Sequence, residues 1–94
     1  MSGQHPDPYE PEPRLVADLR KNSNEIARIQ LRVFKATKLI DIRSHALQKD
    51  GVPRPTPKGI SLNIAVLPEL IDALIQAQKI AREVGWLSDT AKAA

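Results

Sequence analysis

Between Ile26 and Lys35 apolar and polar residues alternate, with Ala27, Ile29, Leu31 and Val33 on one parity and Arg28, Gln30, Arg32 and Phe34 on the other. Successive side chains of a strand point to opposite faces, so the pattern predicts a half-buried strand whose second face meets solvent. The chain's only phenylalanine then stands exposed among arginines. Ala36-Thr37 reads as a short turn and Lys38 to Ser44 as a second strand, with Ile40 and Ile42 inward and Asp41 and Arg43 outward. Leu39 shares the outward parity, so cover on both faces is expected there. Gln48 to Pro57 combines Asp50-Gly51 with Pro53, Pro55 and Pro57, the chemistry of a loop or of one irregular edge strand. Ile60-Ser61-Leu62 reads as a short strand with two inward apolar residues.

Pro68 interrupts any regular helix begun at residue 64, where Asn63 is a candidate cap. The spacing therefore predicts an irregular turn followed by a helix from Leu67, with Pro68 in the tolerated first position. Leu67, Leu70, Ile71, Leu74, Ile75, Ala77, Ala81 and Val84 recur at helical spacing, and Gly85 is a ready terminator. So broad a stripe predicts a core or dimer face, centred on Leu67, Leu70, Ile71, Leu74 and Ile75. Trp86 and Leu87 are expected to pack against the helix end. At the other terminus, His5 to Pro13 holds four prolines in nine residues with acids between them, a composition that cannot pack a core. Residues 1–20 thus read as a disordered, Pro-rich acidic tail, in which Arg14 to Lys21 forms at most a short helical turn. The tail fits a solubilising segment, a partner-binding segment or an acidic arm that competes for a basic face. Residues 21–87 read as the folded domain and 88–94 as a C-terminal tail.

Ninety-four residues make one domain at most, and a foldable part of roughly 65 to 70 residues has a marginal core, for which dimerisation is the natural remedy. The absence of cysteine excludes disulfides, thiolate metal sites and a cysteine nucleophile. No apolar run approaches the roughly 18 residues of a membrane span, and the first residues lack the basic start and apolar block of a secretory signal. The net charge is only +3, but it is concentrated: between Arg20 and Leu62 ten bases face Glu25, Asp41 and Asp50, while the flanking segments are net acidic. Such a field favours a polyanionic partner. Ser44, His45 and Asp41 supply the residue types of a catalytic triad, but Ser44 and His45 fall on opposite faces of one strand. His5 and His45 are the only histidines, and no carboxylate cluster surrounds either. Neither an enzyme nor a metal site is expected, and no cofactor is implied.

Arg32-Val-Phe-Lys35, Leu39-Ile-Asp-Ile-Arg43 and Lys58-Gly-Ile-Ser-Leu62 resemble the transcriptional coactivator positive cofactor four family, over roughly Ile26 to Val84. The resemblance implies an α+β domain with the whirly-like fold of single-stranded-DNA-binding transcriptional regulators: four antiparallel strands, one C-terminal helix, and dimerisation through that helix. It also implies DNA contacts at Arg32, Phe34, Lys35, Arg43, Arg54 and Lys58. Ala36 and Thr37 replace the glycine and lysine of the coactivator's first turn, with Lys38 adjacent; Ala46 replaces a base-stacking tryptophan and Pro57 a basic residue. Phe34 is thereby left as the one clear stacking platform.

The residues by themselves lead to the same mechanism. Arg28, Arg32, Lys35, Lys38, Arg43, Arg54 and Lys58 would follow a phosphate backbone with little regard to sequence, and Phe34 would stack a base. The expectation is sequence-nonspecific single-stranded DNA binding by a small basic homodimer. It would act as a transcriptional coactivator or regulator beside the transcription machinery, or hold the two sides of a melted duplex. The location expected is the nucleoid in the cytoplasm of a prokaryote, or the nucleus of a eukaryote. Rival readings are a protein-interaction module that docks an acidic partner, and RNA in place of DNA. Phe34 tucked under a helix end or partner subunit, and Arg43 paired with Asp41 or Glu25, are the structural alternatives for those residues.

Overall fold

A computed structural model describes residues 12–88 and divides the chain after Ile64 into a sheet unit and a helical unit. The sheet unit is β1 (Arg14–Asn22), β2 (Glu25–Phe34), β3 (Thr37–Ala46) and β4 (Arg54–Asn63), an antiparallel meander in the order β1-β2-β3-β4. The helical unit carries α1 (Leu67–Glu83), which follows a single 3-10 turn, Ile64–Val66. Four strands and one helix are the expected architecture, and β2 and β3 are the expected hairpin, but the first and last strands are drawn from different segments. The run before residue 12 and the tail after Ser88 lie outside the described residues.

The first correction is β1. Arg14–Asn22, read as tail or helical turn, is a nine-residue edge strand hydrogen-bonded to β2. Its alternation is hidden because register shifts between Leu15 and Ala17 and between Arg20 and Asn22 each break the period of two. The second correction is β4, which joins the Pro-rich run and the short Ile60-Ser61-Leu62 strand into one element. An edge position makes this possible, since proline needs no ladder donor on the outer side. An irregularity between Arg43 and His45 on β3 takes up the extra residues around Pro57. Gly59 lies where a Cβ would stand 2.7 Å from the Arg43 Cα and from the Ile42 carbonyl oxygen, so β4 approaches β3 too closely there for any side chain.

β2 and β3 pair along their full length, from Glu25 opposite Ala46 to Phe34 opposite Thr37. Their turn is Lys35-Ala36, one residue earlier than expected, and both residues have positive φ, 51° and 64°. Left-handed geometry at both central positions is the type I′ turn, whose twist matches that of the flanking strands. Neither residue is glycine, asparagine or aspartate, so the turn carries a Cβ clash at each position. At the opposite end, the backbone N–H of Asn24 donates to Asn22 Oδ1 at 2.8 Å and closes the β1–β2 turn.

Pro68 sits in the first turn of α1, and Val66 is the cap residue without a capping side chain, while Asn63 ends β4. Gly85, at φ 84°, ends the helix as expected. The Trp86 N–H donates to the Ala81 carbonyl at 2.8 Å and the Gly85 N–H to that of Arg82 at 3.2 Å, the paired bonds of a Schellman cap. The cap holds the backbone but does not cover the indole: Trp86 is 86 % exposed, against the expected packing on the helix end.

Register assigns the faces. Ala17, Ile29, Ile42 and Ile60 form one cross-strand row, and Leu31, Ile40 and Leu62 the next, so they share a face. Within the described residues, only Ile26 and Ile40 among the large apolar side chains are buried. Ile60 on the sheet and Ile71, Leu74, Ile75, Ile80 and Val84 on or after α1 are exposed, and α1 buries none of its residues.

Relieving the turn strain gives a direct check. Ala36→Gly is expected to stabilise the fold by about 1 kcal/mol, as a higher urea midpoint with unchanged slope. A midpoint that stays put or falls would show that the turn carries no such strain.

Candidate nucleic-acid interface

The face opposite the isoleucine rows collects most of the expected arginines. Asp18, Arg28, Arg43 and Gly59 make one row across the four strands; Gln30, Asp41 and Ser61 make the next; Arg32 and Leu39, then Phe34 and Thr37, continue toward the β2–β3 turn. Phe34 is 53 % exposed at the end of this face, and Lys35 Nζ lies 5.4 Å from its ring centroid, in cation–π range. Within the sheet unit itself the ring is not packed under neighbouring strands.

Not every expected cation belongs to this face. Lys38 pairs with Val33 and Arg54 with Ala46, which places both on the face of Ile29 and Ile42. Lys58 reaches Glu25, 3.7 Å away, and Glu25 is registered to that same second face through Ala46. Lys35 belongs to the turn itself. The eight expected contacts thus fall into a face group of Arg28, Arg32, Phe34 and Arg43, a turn residue Lys35, and a second-face group of Lys38, Arg54 and Lys58.

Carboxylates divide the cations further. Arg28 donates from Nε and Nη2 to the two oxygens of Asp18, at 2.8 and 3.0 Å. Arg54 is 2.7 Å from Asp50, and Glu25 holds Lys21 at 3.2 Å as well as Lys58. Hydrogen bonds from Arg28 hold the Asp18 carboxyl below its usual range, and those from Lys21 and Asn22 do the same for Glu25. Arg32, Lys35 and Lys38 have no carboxylate within ion-pair distance among the described residues. The uncommitted positive charge therefore concentrates around the β2–β3 turn, next to Phe34.

Arg43 is the most committed cation. Its Nε and Nη2 donate to Asp41, Nη1 donates to the Thr56 carbonyl at 3.0 Å, and Nη2 also approaches Ser61 Oγ at 3.4 Å. The side chain is 20 % exposed, and Asp41 beneath it is wholly buried. Ser61 donates its hydroxyl proton to Asp41 at 2.6 Å, so the carboxylate is satisfied from two strands. Gly59 offers no side chain in the row that Arg43 occupies, which leaves the guanidinium a path toward Thr56 and Ser61. Burial alone would raise the Asp41 pKa, but the hydrogen bonds from Ser61 and Arg43, with the charges of Arg43 and Arg32, bring it below its usual range. Of the two roles expected for Arg43, the structural pair with Asp41 is what the geometry builds, and little of its donor capacity is left for a phosphate.

Asp18 was missed because it lay in the segment read as tail; the signal was the Leu15, Ala17, Leu19 alternation, obscured by the β1 bulges. Ser44 and His45 point to opposite faces, paired with Ala27 and Ile26, and His45 Nδ1 is 3.3 Å from the Arg43 carbonyl oxygen. Among the described residues no group of three His, Cys, Asp or Glu side chains is placed to hold a metal, and no helix is long and apolar enough to cross a membrane.

The model of the family described as Transcriptional Coactivator p15 (PC4) matches residues 21–73, more than half of the chain. The chain belongs to the PC4 family. Its fold is similar to that of BPSL1147, a PC4 homolog from Burkholderia pseudomallei, in two crystal forms. The orthorhombic form has a TM-score of 0.65 at 29 % identity over 69 % of this chain and 88 % of that one. The tetragonal form has a TM-score of 0.63 at 28 % identity over 71 % and 98 %. No curated protein matches the chain. The PC4 match takes in β2, β3, β4 and the start of α1; most of β1, with Asp18, and the rest of α1 and Trp86 beyond it fall outside the match.

The buried carboxylate sets an acid limit on this PC4 domain. A folded-state pKa below the unfolded value means that the unfolded chain binds more protons as the pH falls, so stability present above pH about 4 is lost below it. Asp41→Asn is expected to lower stability by about 3 kcal/mol near neutrality, since the Arg43 charge loses its partner, and to flatten the acid limb of a urea-midpoint profile. An unchanged acid limb in Asp41→Asn would assign that limb to other carboxylates.

Proposed function

We propose that this PC4-family chain binds single-stranded DNA without sequence specificity, as a homodimer, in a transcriptional coactivator or regulator role at opened DNA. The observation that carries the reading is the β2–β3 tip. Phe34 is half exposed with Lys35 over its ring, and among the described residues Arg32 and Lys38 nearby have no carboxylate within ion-pair distance. Unpaired bases seek a flat apolar surface and phosphates seek charge, and this tip offers both within a few residues. An acidic protein would be satisfied by the charge alone and has no use for the ring. Membership in a family of DNA-binding coactivators supports the same partner.

The homodimer is supported by what one chain leaves open. The two large apolar side chains buried among the described residues do not make a core for a domain of this size, while Ile71, Leu74 and Ile75 of α1 and Ile60 of the sheet are exposed. A second copy offers the same surfaces in return, as a two-fold contact requires. Two copies of the Phe34 tip would let the dimer hold two strand segments together.

The test of binding is the anisotropy of a labelled single strand of about 20 nucleotides, with wild type and Phe34→Ala, at two salt concentrations and with duplex of the same sequence as competitor. The single strand is expected to bind preferentially, to weaken with salt, and to lose roughly five- to 150-fold in affinity on Phe34→Ala. Failure to bind at low salt would overturn the reading in favour of protein docking. Separately, analytical ultracentrifugation is expected to give twice the 10.4 kDa chain mass. A folded species of single-chain mass at tens of micromolar would rule the dimer out.

A further inference from the structure

Two carboxylates are registered to the Phe34 face among the described strand residues, Asp18 and Asp41. Asp41 is wholly buried and cannot meet a ligand. Asp18 differs: its side chain is 34 % exposed on the edge strand, and its two oxygens accept from Nε and Nη2 of Arg28, at 2.8 and 3.0 Å. That is the bidentate fork by which a guanidinium also takes two oxygens of a phosphate. Arg28 presents the same donors to either, and it cannot present them to both.

We infer that Asp18 is a built-in competitor for the phosphate of a bound strand, an affinity-limiting residue that occupies Arg28 in the free protein. The inference rests on the reading of this face as a nucleic-acid interface. The strand docks first on the uncommitted charge at the Phe34 tip, around Arg32 and Lys35, and extends along the face to Arg28 only by displacing Asp18. Arg28 changes partner in that exchange, and the Asp18 carboxylate turns to solvent, to which it is already partly open. Of the other carboxylate-held cations, Arg43 on this face is tied to the buried Asp41, while Arg54 pairs with Asp50 and Lys21 and Lys58 pair with Glu25 of the second face; none of them enters the exchange. Asp18 lies on the edge strand β1, in the part outside the family match.

The experiment measures affinity for an oligothymidine against salt for wild type, Asp18→Asn, Arg28→Gln and the double variant, with Asp72→Asn on α1 as a control for net charge. Far-UV circular dichroism confirms that each chain is folded. Asp18→Asn is expected to bind roughly two- to fivefold more tightly, the fold-change that corresponds to an exposed ion pair. The slope of log affinity against log salt should steepen by about 0.7, one additional single-strand phosphate contact. The gain should vanish in the double variant and be absent from Asp72→Asn. A wild type that binds together with an Asp18→Asn that binds equally well, or whose gain survives Arg28→Gln or is matched by Asp72→Asn, overturns the competitor role and leaves the proposed function standing. Binding by neither wild type nor Asp18→Asn overturns both. Binding by Asp18→Asn alone upholds the competitor role in its strongest form.

Discussion

The register of the β2–β3 hairpin is the constraint on which everything else depends. A slip by one residue would carry Arg28, Arg32 and Phe34 to the face of Ile29 and Leu31, because alternate side chains take opposite sides. Two features hold the register. One is the Lys35-Ala36 turn, whose left-handed residues give the strands their shared twist. The other is the pairing of continuous isoleucine and leucine rows on one face, which a slip by one residue would set against the polar rows of the neighbouring strands. A strained turn made of ordinary residues also places a lysine ammonium over the one phenylalanine ring. Strain and the proposed contact surface coincide at this position.

On the opposite flank the cost of burying a charge shapes the chemistry. A carboxylate withdrawn from water survives only with close donors, and Asp41 obtains them from Ser61 on β4 and from Arg43 on its own strand. Arg43 is thereby spent on the interior, and Gly59 is required so that β4 can approach closely enough to complete the arrangement. The sheet's positive charge is thus graded: tied down in the middle of the face, matched by Asp18 at the β1 edge, and uncommitted at the tip. A polyanion that meets such a surface encounters the tip as the position of lowest competition.

A thin interior follows from the same layout. Alternation leaves the sheet one apolar face, and the helical unit carries a stripe of its own that the chain does not bury within it. Such apolar surfaces are what the proposed homodimer would cover, one solution open to a chain too short for a private core.

The alternation from Ile26 to Phe34, the helical stripe from Leu67 and the stop at Gly85 were legible in the sequence because each depends on local periodicity or on a single residue's backbone preference. The family likeness was legible for the same reason, since its residues lie in β2, β3, β4 and the tight β2–β3 turn. β1 was not, because bulges break its period, nor was the joining of a Pro-rich run into β4, which edge position alone allows. Which arginines are uncommitted was beyond local reading as well. Arg28 and Arg32 are equivalent by parity, and only the register of β1 brings Asp18 into a bidentate pair with Arg28, while Arg32 has no carboxylate within ion-pair distance among the described residues. Sequence by itself determined which residues carry charge and which face of their own strand they take; tertiary structure decided which charges meet, because ion pairing depends on distances between strands that no single strand's pattern contains.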